Sequence, residues 1–302
     1  MAAIGIDVGG TNLRGARVSD AGLILDRVAE KTPSDAKAVV ARIIDLVRHL
    51  DRPDVAAIGI GVPGRVDAQR RRVLSGGTIN LAATELAQNV EQSAGKPVFI
   101  DNDGNLALVA ESAVGAARGC ANVVMFTIGT GIGGAVLLDG RIVRGRTSAG
   151  QLGHLTVDAN GAICACGRRG CVETTSSGAA LGRLIADAGF PAGIGVEQLF
   201  ALGSAGDLVA ARVLESWVRP LRAGIDSAVA AFDPDLVLLG GGLGLSASRA
   251  LVKTPAVAPW FQCAVMPAQL GDDAGVIGGA LSALNGLRSK LNGTPAGIGT
   301  RL

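Results

Sequence analysis

Apolar positions at residues 3–8, 14–18 and 23–28 form short runs separated by glycine-bearing turns, which predicts three strands near the start of the chain. Val39, Ile43, Leu46 and Leu50 then recur at helical spacing. The preceding Thr32-Pro33-Ser34-Asp35 predicts how that helix begins: a capping hydroxyl, proline at the first helical position and an acid in the first turn. The next segment, DVAAIGIGVPG at 54–64, is a continuous apolar run closed by a glycine-proline turn. Such a run suits a strand buried on both faces.

The second half repeats this order. NVVMFTIGTGIGGAVLLDGRIV at 122–143 predicts strand, turn, strand, turn, strand, and DLVLLGGGLG at 235–244 echoes the run at 54–64. Gly15-Ala16 overlays on Gly134-Ala135, and five residues after each glycine stands an aspartate, Asp20 or Asp139, with another glycine soon after. Helical patterns lie between, among them 208–232, where Pro220 is expected to introduce a kink. Similarity at this length indicates duplicated domains rather than a short-period solenoid. The expectation is two α/β domains with a cleft between them. One spans 1–116, completed by a C-terminal helix near 286–302, and a larger one spans 117–285.

Charge and composition narrow the function classes. The 302 residues carry a net charge of +2, with Arg70, Arg71 and Arg72 as the one basic block, so the basic face that nucleic acid requires is not expected. The uncharged run 120–138 approaches membrane-spanning length, but glycine and threonine punctuate it and favour two short strands. The N-terminus lacks the pattern of a secretory signal, which points to the cytoplasm. Five cysteines, an odd number, argue against a disulfide framework. Cys120 and Cys263 stand alone and are expected to be small buried residues.

Glycine turns free of side chains let backbone N–H groups converge on an anion. The first is Gly9, Gly10, Thr11 and Asn12; the second is Gly129, Thr130, Gly131 and Gly133. Asp7 beside the first is placed to orient Mg²⁺. Gly240, Gly241 and Gly242 end an apolar run where bulky side chains would block a flat ligand. The alternative is a pair of hairpin turns with no ligand. No P-loop pattern occurs. His154, Cys164, Cys166 and Cys171 offer one imidazole and three thiols, a set that closes a tetrahedral structural zinc site; the alternative is a loop of reduced thiols. In FIDNDGNLALVAES, Asp103 precedes a helical pattern, and spacing alone favours an Asx turn or N-cap.

Taken together, DVGGTNLRGA, GVPG, DND and GHLTVDANGAICACGRRGCVE resemble the ROK family of bacterial repressors and sugar kinases, over nearly the whole chain. The resemblance implies a duplicated, RNase H-like (actin-like ATPase) fold, ATP as phosphoryl donor, Mg²⁺ and a structural Zn²⁺ on the same four ligands. It further implies Asp103 as catalytic base and Asn102 as a sugar ligand. His154 would face zinc with one ring nitrogen and sugar with the other, Glu173 would accept from hydroxyls near the anomeric end, and Asn80 and Gly64 would line the sugar site. Homodimers or homotetramers are the implied assembly. One departure stands out: the family's usual Gly-Glu-x-Gly-His reads GQLGH here, with Gln151 in place of the acid. An amide both donates and accepts where a carboxylate only accepts, which suits a ligand with an acceptor at that point, or else marks drift around an ordinary hexose. The leading expectation is a kinase for the 6-hydroxyl of a hexose or N-acetylhexosamine. The rivals are a sugar-sensing regulator, which would need a helix-turn-helix ahead of the first strand, and a weakly catalytic sugar-binding protein.

Overall fold

The computed structural model describes residues 1–76 and 79–292, so the end of the expected C-terminal helix, at 293–302, lies outside the described residues. The chain forms two compact units. The first takes residues 1–119, 139–149 and those from 272 onward; the second takes 120–138 and 150–271.

In the first unit, β1 (Ala2–Val8), β2 (Asn12–Ser19) and β3 (Ile24–Lys31) form an antiparallel meander. β4 (Val55–Val62) and β7 (Val98–Asn102) add on in parallel, giving the order β3-β2-β1-β4-β7. β4 is buried almost throughout, as its unbroken apolar run requires. A small hairpin, β5 (Arg65–Asp67) and β6 (Arg72–Ser75), follows β4. Helix α1 (Ala36–Leu50) buries Val39, Val40, Ile43, Leu46, Val47 and Leu50 on one face. Its cap differs from expectation. Asp35, rather than Thr32, is the N-cap, and its carboxylate accepts from Ala38 N at 2.8 Å. Thr32 is spent elsewhere: its N–H and hydroxyl brace the first glycine turn. Helices α2 (Leu86–Ala94) and α3 (Asp103–Val114) flank β7 in sequence.

In the second unit, β8 (Val123–Ile128) and β9 (Ile132–Leu138) form the hairpin expected from the uncharged run. The short β10 (Arg141–Ile142) lies within 139–149 of the first unit. After α4 (Glu173–Ser176), α5 (Gly178–Asp187), α6 (Val196–Ser204) and α7 (Leu208–Phe232) comes β11 (Leu236–Gly240), parallel to β8. Then α8 (Gly244–Leu251) leads to β12 (Val265–Pro267), parallel to β11. The run β9-β8-β11-β12 thus has the same connectivity and direction as β2-β1-β4-β7. The hairpins register likewise. Val8 pairs with Leu13 and Ile128 with Ile132, and the glycine of each Gly-Ala pair, Gly15 or Gly134, lies two residues beyond. The first loop is one residue longer.

The closing helix α9 (Ala274–Leu291) packs on β1 and β4 of the first unit. Its approach is close because the facing residues lack side chains. A Cβ on Gly5 would stand 1.8 Å from the Val276 carbonyl oxygen, and one on Gly59 would stand 1.9 Å from that of Gly279. Among the described residues no helix is long and apolar enough to cross a membrane. Cys120 and Cys263 are half-buried rather than fully buried, and the Cys263 thiol sits 3.3 Å from the Pro234 carbonyl oxygen.

Candidate active site

In the first unit, strand β7 runs directly into α3, and the turn between them carries Asp101, Asn102 and Asp103. Asn102 is the N-cap: its Oδ1 accepts from Gly104 N at 2.9 Å and Asn105 N at 3.3 Å. Its Nδ2 donates to the Gly64 carbonyl at 2.9 Å, and the same side chain also hydrogen-bonds the Asp103 carboxylate. Asp103, free of capping duty, is the first residue of the helix. Burial raises its pKa to about 6, against hydrogen bonds from Gly104 N and Asn102 that pull it down. Asp7, at the end of β1, is pushed up to about 7. Burial is the main cause; the charge of Asp103 adds to it, and the Arg14 guanidinium, 3.7 Å away, opposes it. Two half-buried carboxyls that feel each other's charge are therefore held in one unit. Arg14 also donates to Asp272 at 2.7 Å.

Asp101 anchors the turn from below. It is buried, its Oδ1 accepts from Asn105 Nδ2 at 2.9 Å and Asn102 N at 2.8 Å, and its Oδ2 takes a fork from Arg144, with Nε at 2.8 Å and Nη2 at 2.6 Å. The spacing of the chain carried no signal for this pair, since Arg144 lies 43 residues away.

Gly64 adopts φ +92°, and a Cβ there would sit 2.2 Å from the Ser75 carbonyl oxygen, so the fold itself demands glycine at this position. Asn80 is exposed and its Oδ1 accepts from Ala82 N at 3.1 Å, a local Asx turn. Its neighbours 77–78 lie outside the described residues.

The two glycine turns are built alike. In the first, Gly9 N donates to Asn12 O at 3.0 Å, while Thr32 takes up the carbonyls of Gly9 and Thr11. In the second, Gly129 N donates to Gly131 O at 2.9 Å, while Gly178 N and Ala179 N, at the start of α5, take up the carbonyls of Gly129 and Thr130. Internal packing accounts for several of the glycines. A Cβ on Gly131 would stand 2.5 Å from Glu173 Oε2, one on Gly133 2.6 Å from Thr127 Oγ1, one on Gly240 2.5 Å from Met125 Cε, and one on Gly241 2.5 Å from Ile128 O. Gly129 and Gly242 have nothing within 4 Å of a Cβ position, so at these two the fold imposes no such restriction.

His154, Cys164, Cys166 and Cys171 come together with all ligand atoms within 4.8 Å of one another. His154 Nδ1 is 3.7 Å from Cys164 Sγ and Cys166 Sγ is 3.6 Å from Cys171 Sγ. Zinc–sulfur bonds in a tetrahedron put neighbouring ligands about 3.7 Å apart, so this donor set fits the ion. Burial pushes the Cys171 thiol up to about 12 and Cys164 upward, while a backbone hydrogen bond at Arg168 holds Cys166 down. Glu173 follows two residues after Cys171. Its Oε2 accepts from Ile132 N at 2.8 Å and its Oε1 lies 3.7 Å from Cys164 Sγ, so its carboxylate is engaged within the second unit. Gln151 is half-buried and opens the 3₁₀ turn 152–154 that carries His154.

The ROK family profile matches residues 3–285. The glucokinase of Thermotoga maritima is 31% identical, with 92% of this chain and 95% of that protein aligned. The N-acetylmannosamine kinase of Citrobacter koseri is 33% identical over 94% of this chain and 99% of its own. Among solved structures, a ROK family glucokinase from Streptomyces griseus in complex with glucose and AMPPNP superposes with a TM-score of 0.80. It is 32% identical, over 95% of this chain and all of the other.

Proposed function

The chain belongs to the ROK family, and from that premise we propose that it transfers the γ-phosphoryl group of MgATP to the 6-hydroxyl of a hexose or N-acetylhexosamine. Asp103 is the observation that carries this reading. It is a half-buried carboxyl at a helix start, relieved of capping by Asn102 and raised to about 6. A base with that pKa is ionised at neutral pH yet still basic enough to take a proton from a primary hydroxyl as the oxygen attacks phosphorus. Asn102, hydrogen-bonded to both Gly64 and Asp103, holds that carboxyl in place beside the sugar in this reading. In the Streptomyces griseus relative the bound pair is glucose and AMPPNP.

Phosphoryl transfer has a loose transition state, so the protein's work is positioning and charge neutralisation. The carbonyls of both glycine turns are braced by Thr32 and by the start of α5, which leaves N–H groups as the donors for phosphate oxygens. Asp7, an oxygen donor beside a second carboxylate, fits a hard cation, and Mg²⁺ there would offset charge on the phosphates. Zinc on His154, Cys164, Cys166 and Cys171 is structural: four protein ligands leave no open position. His154 Nδ1 lies 3.7 Å from the Cys164 thiol, which supports Nε2 as the ring nitrogen for the sugar in this reading. The protein is assigned to the cytoplasm and, as an assembly, to a homodimer or homotetramer.

Gln151 bears on which sugar is used. A neutral amide in place of a charge-assisted acceptor costs about 1–2 kcal/mol with a plain hydroxyl, but it donates to an amide carbonyl. An N-acetylhexosamine is therefore favoured over glucose. ADP release across glucose, N-acetylmannosamine, N-acetylglucosamine and fructose tests both points. Turnover with one of them is expected, and Gln151→Glu should shift kcat/KM about tenfold toward glucose. No ADP release with any hexose would remove the kinase reading in favour of a regulator or a binding protein. An unchanged preference would mean Gln151 does not select.

A further inference from the structure

Ile132 closes the second glycine turn, and both of its backbone polar atoms meet residues one or two positions from metal ligands. Its N–H is taken by Glu173 Oε2 at 2.8 Å. Glu173 is fixed in turn by the ligand Cys171, because Thr174 bonds the Cys171 carbonyl through both its N–H at 2.9 Å and its Oγ1 at 2.7 Å. On the other side the Ile132 carbonyl lies against Gly153, where a Cβ would come within 1.8 Å of it, and Gly153 immediately precedes the ligand His154. Farther along the same stretch, Gly178 N and Ala179 N hold the carbonyls of Gly129 and Thr130. The ligands His154 and Cys171 thus flank a clamp on a turn more than 20 residues away from either.

We infer that metal occupancy of the cysteine cluster sets the conformation of the 129–132 turn, with Glu173 as the positioning residue, and so governs nucleotide affinity as well as sugar affinity. The nucleotide part rests on the function proposed above; the clamp itself does not. Losing the hydrogen bond from Ile132 to a carboxylate should loosen the turn about tenfold or more, since bonds to charged groups are the stronger class. Glutamine keeps an acceptor oxygen on a side chain of the same length, whereas alanine has none.

The test compares metal-loaded wild type, chelator-stripped wild type, Glu173→Ala and Glu173→Gln. The readouts are hydrogen exchange of peptides covering 126–138, metal content, and separate dissociation constants for AMPPNP with Mg²⁺ and for the accepted sugar. In stripped protein and in metal-loaded Glu173→Ala, exchange at the turn should quicken and AMPPNP binding should weaken about tenfold, while Glu173→Gln, which keeps a neutral acceptor, falls between wild type and Glu173→Ala in both readouts. If Glu173→Ala loses its metal or unfolds, stripped wild type against Glu173→Gln decides; if stripping unfolds the protein, metal-loaded Glu173→Ala decides. A turn as well protected in stripped protein and in Glu173→Ala as in metal-loaded wild type overturns the inference, as does weakened sugar binding with AMPPNP affinity unmoved. Failure of metal-loaded wild type to bind AMPPNP at all would instead refute the kinase reading, and the exchange measurement would still judge the clamp.

Discussion

At the scale of single residues, the division of labour between Asn102 and Asp103 is the decisive feature. Spacing alone would make Asp103 an N-cap, in which case its carboxylate would be committed to the helix. The cap is Asn102, so Asp103 is available for a proton. Its pKa of about 6 gives a signed expectation. A base works deprotonated, so kcat/KM should be level above about pH 7 and fall roughly tenfold per pH unit well below 6. Asp103→Asn should lower kcat by at least about 10²-fold, remove that acid limb, and leave sugar and nucleotide dissociation constants within a few-fold. Steady-state rates from pH 5 to 9 with binding measured separately check this. Substantial turnover with the acid limb retained in the variant would place the base elsewhere.

At the scale of elements, what the chain discloses by itself is whatever is local. The hairpins at 2–19 and 123–138, the buried β4 and the 25-residue α7 each write their period into neighbouring residues, and they stand where the pattern puts them. The cysteine cluster is legible for the same reason, since its four ligands fall within 18 residues. Features that depend on distant partners are not legible. Asp35 caps α1 because Thr32 is drawn away to Gly9 and Thr11, and Asp101 takes its fork from Arg144. Glu173 reads as a sugar ligand by resemblance, and that its Oε2 accepts from the Ile132 amide 41 residues away is not legible in the chain. Glycine is the hardest residue to interpret, because a bare Cα serves a ligand, a turn or a neighbouring helix equally well. Gly59 belongs to the last class. Gly59→Ala puts a methyl 1.9 Å from a backbone oxygen of α9, which can yield only if the helix moves off the sheet. A loss of about 2–3 kcal/mol is expected from such overpacking. Gly182, exposed in α5 with nothing within 4 Å of its Cβ position, should behave oppositely: alanine there should gain about 0.5–1 kcal/mol of helix propensity. Urea midpoints of the two variants would show whether glycine here is read correctly. A neutral Gly59→Ala would mean that α9 is not seated as closely as described.

For the molecule as a whole, the same carboxyls that fit it for chemistry should weaken it as a fold. Asp7 and Asp103 are raised to about 7 and about 6 from an unfolded value of 3.8. The sign follows from linkage: between these values the folded state holds protons that the unfolded state has released, so stability falls as pH rises. The penalty is absent below about pH 4, grows through the interval and is complete above about pH 7. Asparagine keeps the shape and cannot ionise. Asp103→Asn should therefore match wild type in stability near pH 4 and exceed it by roughly 1–3 kcal/mol near pH 8, even as turnover is lost. The difference between their unfolding curves reports Asp103 together with the part of the Asp7 shift that its charge causes. Adding Mg²⁺ and AMPPNP should raise both proteins by nearly the same amount and leave the gap in place, because their nucleotide dissociation constants differ by no more than a few-fold. A difference that stays flat from pH 4 to 8 would show that Asp103 ionises as freely in the fold as in the unfolded chain, and the case for it as a tuned base would fail with it.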